Sequence, residues 1–292
     1  MDFRKINQKS PQLSMKEIAK LKDLFEQKNW PIEGDYDEPV FENFCNWLAG
    51  YNPEQCDLLI SLTEKFLWIR NLEYNKYFFE AFQLFINSFS FSNGKKVMIC
   101  PAIPENDFGK TKSSVVLLYL IKANIFAIQK RFSDFAITYI DSPNSVNLAN
   151  FKKDFTFCLI DDFIGTGETF SSAVDYLINV GIKKEQIALL SLVGMKDGIK
   201  YLKDKGYATY SAIECDKGLS DTGNEKQIDT MKSIEESICV EDKFKFGYNA
   251  SEALVRMIRT PNNTFPVYWY HKKSINIFKN PWLKFNKKLY IF

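Results

Sequence analysis

Residues 157–169 read FCLIDDFIGTGET. Four apolar residues, Phe157 to Ile160, predict a buried strand. Two adjacent carboxylates, Asp161 and Asp162, follow, and Phe163-Ile164-Gly165-Thr166-Gly167 forms a short turn ahead of Thr169. The run Phe170 to Val180 has helical apolar spacing and stops at Gly181, so the order is strand, glycine turn, helix. Such a turn aims backbone N–H groups and the positive end of a helix at one point, which suits a phosphate. The glycines allow positive φ and close approach of a ligand, and Thr166 and Thr169 add hydroxyl donors. No Lys follows the second glycine, which excludes the P-loop, and the carboxylate pair and glycine spacing exclude the dinucleotide fingerprint. Paired carboxylates ahead of a phosphate cradle match a ligand with a phosphate at one end and vicinal hydroxyls at the other, as in a ribose 5-phosphate.

This string closely resembles the 5-phosphoribosyl-1-pyrophosphate (PRPP) motif of type I phosphoribosyltransferases: an apolar strand, two acidic residues, and a small turn ending Thr-Gly-x-Thr. The resemblance implies an α/β fold, a mostly parallel sheet flanked by helices. It implies PRPP as ligand, with Asp161 and Asp162 holding the ribose hydroxyls and acting on the reacting centre, and Gly165, Thr166, Gly167, Glu168 and Thr169 holding the 5-phosphate. Glu168 departs from the family pattern, where a small or neutral residue is common. Magnesium is implied as cofactor, carried by the ligand, with Asp161 the protein group placed to reach it.

In that family a loop after the first core strand holds pyrophosphate. Here it is Pro101 to Ser114, with Lys112 and Ser113 at its exit, and Ser113 or Ser114 is placed to cap the following helix. Asp141 to Lys153 corresponds to the family's mobile lid. The segments SEALVRMIRT and TPNNTFPVYW resemble the C-terminal pattern of phosphoribosyltransferase-like proteins from bacterial conflict and antiphage loci, some beside retron reverse transcriptases. That likeness implies a hood, in which Asn262, Asn263 and Trp269 select the acceptor, and a reverse transcriptase–RNA complex as a partner. It leaves a homo-oligomer open.

The rest of the chain bounds these readings. Of 292 residues, 46% are hydrophobic and 25% charged, so a packed core is expected. A net charge of +2 singles out neither nucleic acid nor membrane. Six cysteines lack CxxC spacing and there is one His, His271, which argues against zinc and for free thiols. Without an apolar leader or a bilayer-length run, a cytoplasmic protein is expected.

Residues 1–94 read as an N-terminal helical module without strand signal. Ser14 to Glu17 has capping-box form and opens a helix to Gln27; Val40 to Ala49, Glu54 to Arg70 and Tyr74 to Phe89 are further helices. Residues 95–215 read as the α/β core. Its strands are Val97 to Cys100, Ile125 to Ile128, Phe135 to Ile140, Phe155 to Ile160, Ile187 to Val193 and Ala208 to Glu214, alternating with helices Ser113 to Ala123 and Met195 to Lys205. Ligands of such sheets lie beyond the carboxyl ends of the strands, where Asp161 and Asp162 are expected. Residues 216–292 read as a C-terminal region with helices Asn224 to Cys239 and Asn249 to Ile258, the hood, and a basic aromatic tail from His271.

Overall fold

The computed structural model describes residues 13–32, 39–91, 95–145, 155–221 and 223–270. The N-terminal arm, residues 146–153 of the expected lid, and the tail from His271 lie outside the described residues. The helices are α1 Met15–Gln27, α2 Val40–Leu48, α3 Pro53–Lys65, α4 Tyr74–Ser88, α5 Ser113–Ala123, α6 Ile125–Arg131, α7 Glu168–Asn179, α8 Lys196–Asp204 and α9 Glu225–Ser237. The strands are β1 Leu67–Trp68, β2 Lys96–Pro101, β3 Ala136–Tyr139, β4 Thr156–Ile164, β5 Ile187–Met195, β6 Ala208–Cys215 and β7 Val255–Arg256. Two compact units group these elements. One comprises Trp68–Lys217 with Val255–Pro261, the other Met1–Leu67, Gly218–Leu254 and Asn262–Phe292. The grouping runs differently from the expected division into 1–94, 95–215 and 216–292: α4 belongs with the sheet, and so does the late segment Val255–Pro261.

In the sheet-bearing unit, five strands lie in the order β3-β2-β4-β5-β6. Every pairing is parallel, from Lys96 opposite Ala136 to Met195 opposite Cys215. All nine residues of β5 are buried, as are eight of nine in β4, which is the pattern of a parallel sheet covered on both faces. On one face Phe157 and Leu159 pack with Phe170, Val174 and Leu177 of α7 and with Ile199 and Leu202 of α8. On the other, Phe85 of α4 meets Tyr210 of β6 with ring centroids 5.7 Å apart. The fold class is therefore the expected one, a mostly parallel sheet flanked by helices.

Several expected boundaries move. Ile125 to Ile128 is the start of α6, not a strand: only Ile128 is buried, and a four-residue apolar run serves either period. The helix from Glu54 ends at Lys65, because Phe66 turns extended with ψ 128°, and β1 puts a strand where none was expected. Asn249 to Ile258 is not helical. Asn249, Ala250 and Glu252 have φ of 53°, 49° and 51°, and β7 follows; successive left-handed residues end a helix.

The other unit is built from α1, α2, α3 and α9. Its helix starts follow their sequence signals: Ser14 and Glu17 form a reciprocal capping box on α1, and Asn52 and Gln55 do so on α3, which has Pro53 in its first turn. Aromatic rings supply much of its core, with Phe25 edge-on to Trp30 and Phe44 at 5.2 and 5.1 Å. Among the described residues no single helix is long and apolar enough to cross a membrane. All six cysteines are free; Cys56, Cys100 and Cys158 are buried, and Cys239 is exposed.

This unit also buries Glu235. Both its carboxylate oxygens accept the Phe246 N–H, at 3.0 and 3.1 Å. Burial pushes its pKa up to about 7. A carboxyl raised in the folded state contributes stability below its unfolded pKa, near 4.3, and loses it as pH rises through about 7. Wild type should therefore lose on the order of 2 kcal/mol between pH 5 and pH 8 that Glu235→Gln does not lose. Chemical denaturation of both proteins across that range checks it.

Candidate functional site

The site forms where the strand order reverses. From β2 the chain steps to β3 on one side, then returns to β4 on the other, and a parallel sheet binds its ligand at such a switch point. β2 ends at Pro101, opposite Ile160, and Ala102 N–H closes that edge by donating to Ile160 O at 2.8 Å. β4 continues beside β5, with Asp161 opposite Ser191 and Ile164 opposite Gly194. Asp161 and Asp162 thus lie inside the second half of β4, not past its end as expected, yet beyond the end of its neighbour β2.

Adjacent strand residues face opposite sides of a sheet, and the pair is held from two directions. Asp161 Oδ1 accepts from Ser113 Oγ at 2.7 Å and from the Asp162 N–H at 2.9 Å. Asp162 Oδ2 accepts from the Tyr74 hydroxyl at 3.0 Å. The aspartates are only 7% and 5% exposed. Burial raises both pKa values above the ordinary carboxylate range, and the charge of Asp162 adds to the effect on Asp161. No cation among the described residues offsets them. Burial, with the nearby Asp162 charge, also raises the Tyr74 phenol.

The turn follows directly. Gly167 is the N-cap of α7 with φ 87°, and no side chain caps the helix there. With Gly167 offering no side chain, the start of α7 can present first-turn N–H groups such as those of Thr169 and Phe170 to an anion. A Cβ at Gly167 would have the Gly198 carbonyl, Leu202 and Tyr201 all at 3.0 Å, so neither the backbone conformation nor the space admits a larger residue. Thr166 Oγ1 accepts the Glu168 N–H at 3.4 Å. Gly165, Thr166 and Thr169 are half-buried, whereas Glu168 is exposed, so its side chain leaves the turn.

The loop after β2 differs from expectation. Lys112 and Lys110 both pair with Asp107, each at 2.7 Å, and these bonds hold the Asp107 carboxyl below its usual range. Lys112, not a serine, is the N-cap of α5, and no side-chain hydrogen bond caps that helix. Ser113 serves Asp161, and Ser114 donates to Ala102 O at 3.2 Å.

The expected hood residues belong to the other unit, where their polar groups are used locally. Asn263 Nδ2 donates to Ser251 Oγ at 2.8 Å, Asn262 O accepts the Tyr248 N–H, and Trp269 Nε1 donates to Thr264 O at 2.7 Å. Tyr268 beside them is fully buried. Two residues of the sheet-bearing unit went unforeseen, Tyr74 and Gly198. Neither carries a sequence signal beyond the aromatic run that opens α4.

No group of three or more His, Cys, Asp or Glu side chains among the described residues is placed to hold a metal. The donor set still fits magnesium brought by a ligand: two hard carboxylates without a cation, leaving most coordination positions to phosphate oxygens and water.

A parallel five-stranded sheet whose switch point holds an acidic pair and an uncapped helix start defines a phosphoribosyltransferase-like protein. A family model, PRTase-CE, matches residues 47–284, and the chain belongs to that family. Among solved structures, the orotate phosphoribosyltransferase of Aeropyrum pernix matches with 14% identity, over 59% of this chain and 78% of that one, at a TM-score of 0.32. No curated protein matches.

Proposed function

We propose that this chain binds PRPP at the ends of β2 and β4 and transfers its phosphoribosyl group to an acceptor, releasing pyrophosphate. The observation that carries this is the buried Asp161–Asp162 pair directly ahead of the uncapped start of α7. The C1–O bond of PRPP breaks with its electron pair leaving on pyrophosphate. The acceptor's lone pair forms the new bond to C1, and the acceptor gives up its proton. Asp161 and Asp162 orient the ribose through its hydroxyls and stabilise the positive charge growing at C1. Gly165 to Thr169 anchor the distant 5-phosphate, so binding energy far from C1 fixes the reacting geometry. Lys112 meets the pyrophosphate once it leaves Asp107. Magnesium, when bound, supplies positive charge to the leaving group.

A second reading, a PRPP or nucleotide sensor without transfer, is favoured by the Lys110 and Lys112 ion pairs with Asp107. The biological setting we infer is an effector of antiphage defence held by a partner such as a reverse transcriptase–RNA complex. It rests on the C-terminal resemblance alone. Expression beside its genomic neighbours, with phage plaque counts for wild type and Asp162→Asn, tests that setting.

The first test is thermal unfolding with PRPP and magnesium. At a hundredfold excess over Kd, protection of about 2.7 kcal/mol is expected in wild type. Asp162→Asn should lose it, and so should wild type without magnesium. Equal protection in both proteins would reject the site. Pyrophosphate release then separates transferase from sensor.

A further inference from the structure

We propose that Tyr74 is a positioning residue that holds Asp162 in its working orientation and ties the segment Val255–Pro261 to the site. This rests on the pair acting as the ribose-holding carboxylates.

Tyr74 is the first residue of α4 and is 1% exposed. Its hydroxyl donates to Asp162 Oδ2 at 3.0 Å and accepts the Ile258 N–H at 2.9 Å. All three residues belong to the sheet-bearing unit. The line from amide to phenol to carboxylate polarises in one sense, each bond strengthening the next. A side chain packed this tightly cannot turn away without stranding a buried carboxylate oxygen and a backbone N–H together.

Ser113 differs on every point. It is exposed, and it follows directly from the loop that ends at Lys112. Its bond to Asp161 is one that a ligand hydroxyl can replace like for like. The two carboxylates are thus held unequally: Ser113 reaches both from the solvent side, and Tyr74 adds a fixed donor to Asp162 from within. Ribose displaces Ser113. Tyr74 stays, leaving the remaining lone pairs of Asp162 for the sugar.

Asp162 faces Asp161 on its own strand, Tyr74 on α4 and Ser113 at the start of α5. Removing the phenol takes away the donor that fixes Asp162 Oδ2 and the acceptor of the Ile258 N–H. The test compares wild type and Tyr74→Phe in the full chain, measuring PRPP–magnesium affinity and, with and without that ligand, hydrogen exchange at the Ile258 amide. Phe keeps the ring and removes only the hydroxyl.

The expected result is about tenfold weaker PRPP–magnesium binding in Tyr74→Phe, together with faster exchange at Ile258. Unchanged affinity and exchange in a folded Tyr74→Phe overturn the proposal while leaving the site intact. Absence of PRPP binding in wild type removes the function and the proposal together. If Tyr74→Phe does not fold, Ile258→Pro replaces it, deleting the N–H given to the phenol from a 41% exposed residue. A smaller loss of PRPP–magnesium affinity supports the proposal, and none overturns it.

Discussion

Asp161→Asn melts about 5 °C higher than wild type at pH 8, and it no longer responds to PRPP and magnesium. Both halves of this result come from one cause. Asp161 is 7% exposed, sits beside a second carboxylate and has no compensating cation among the described residues. Keeping it charged costs free energy in the folded state that the unfolded chain does not incur. Asparagine keeps the shape and still accepts from Ser113 and the Asp162 N–H, so the gain is on the order of 2 kcal/mol. The raised carboxyl contributes stability below its unfolded pKa and loses it as pH rises through its folded one. The difference between the proteins therefore opens on going from pH 4 to pH 8. A binding site that holds its charge against stability is a common trade. Equal melting of the two proteins at every pH would show that Asp161 is not the burdened group.

Gly198→Ala produces the opposite pair of effects, lower stability and no binding. A Cβ at Gly198 would lie 2.1 Å from the Gly165 carbonyl oxygen and 3.1 Å from Ile164 Cγ2. The obstruction is backbone, so no rotamer relieves it. Either α8 withdraws or the turn between β4 and α7 is pushed out of shape. Overpacking of this kind costs about 3 kcal/mol, a fall of roughly 9 °C in melting temperature. The decisive measurement is PRPP protection at a temperature where the variant is still folded. Loss of protection there places the damage in the turn and not in global stability.

The parts of the site that the sequence disclosed are the parts contiguous in it. β4, the glycine turn and α7 are consecutive, and each is dictated by its own residues: the apolar run, Gly167 at positive φ, and the helical spacing of Phe170, Val174 and Leu177. The capping box on α1 is legible for the same reason, since Ser14 and Glu17 sit three residues apart. Tyr74 is not, because it lies 88 residues before Asp162 and 184 before Ile258. Gly198 carries no local signal, because the Gly165 carbonyl it packs against belongs to another turn. At 246–252 the failure is different in kind. Phe246, Asn249, Ala250 and Glu252 all adopt positive φ, a choice no local propensity predicts for Phe, Ala or Glu. Two of these backbones are held by distant partners: Glu252 O accepts the Gly218 N–H, and the Phe246 N–H donates to the Glu235 carboxylate. At the start of α6 four apolar residues are too few to separate one period from the other.

The interleaved path of the chain carries a consequence for synthesis. The chain leaves the sheet-bearing unit after Lys217 and returns for Val255–Pro261, the stretch whose Ile258 amide meets Tyr74. A ribosome that has released all five strands of the sheet has not yet made the last piece of their own unit. The acidic pair acquires its full set of neighbours only when translation passes Pro261, late in the chain. An expression clone cut after Lys217 would keep FCLIDDFIGTGET entire and still emerge as an unfinished fold.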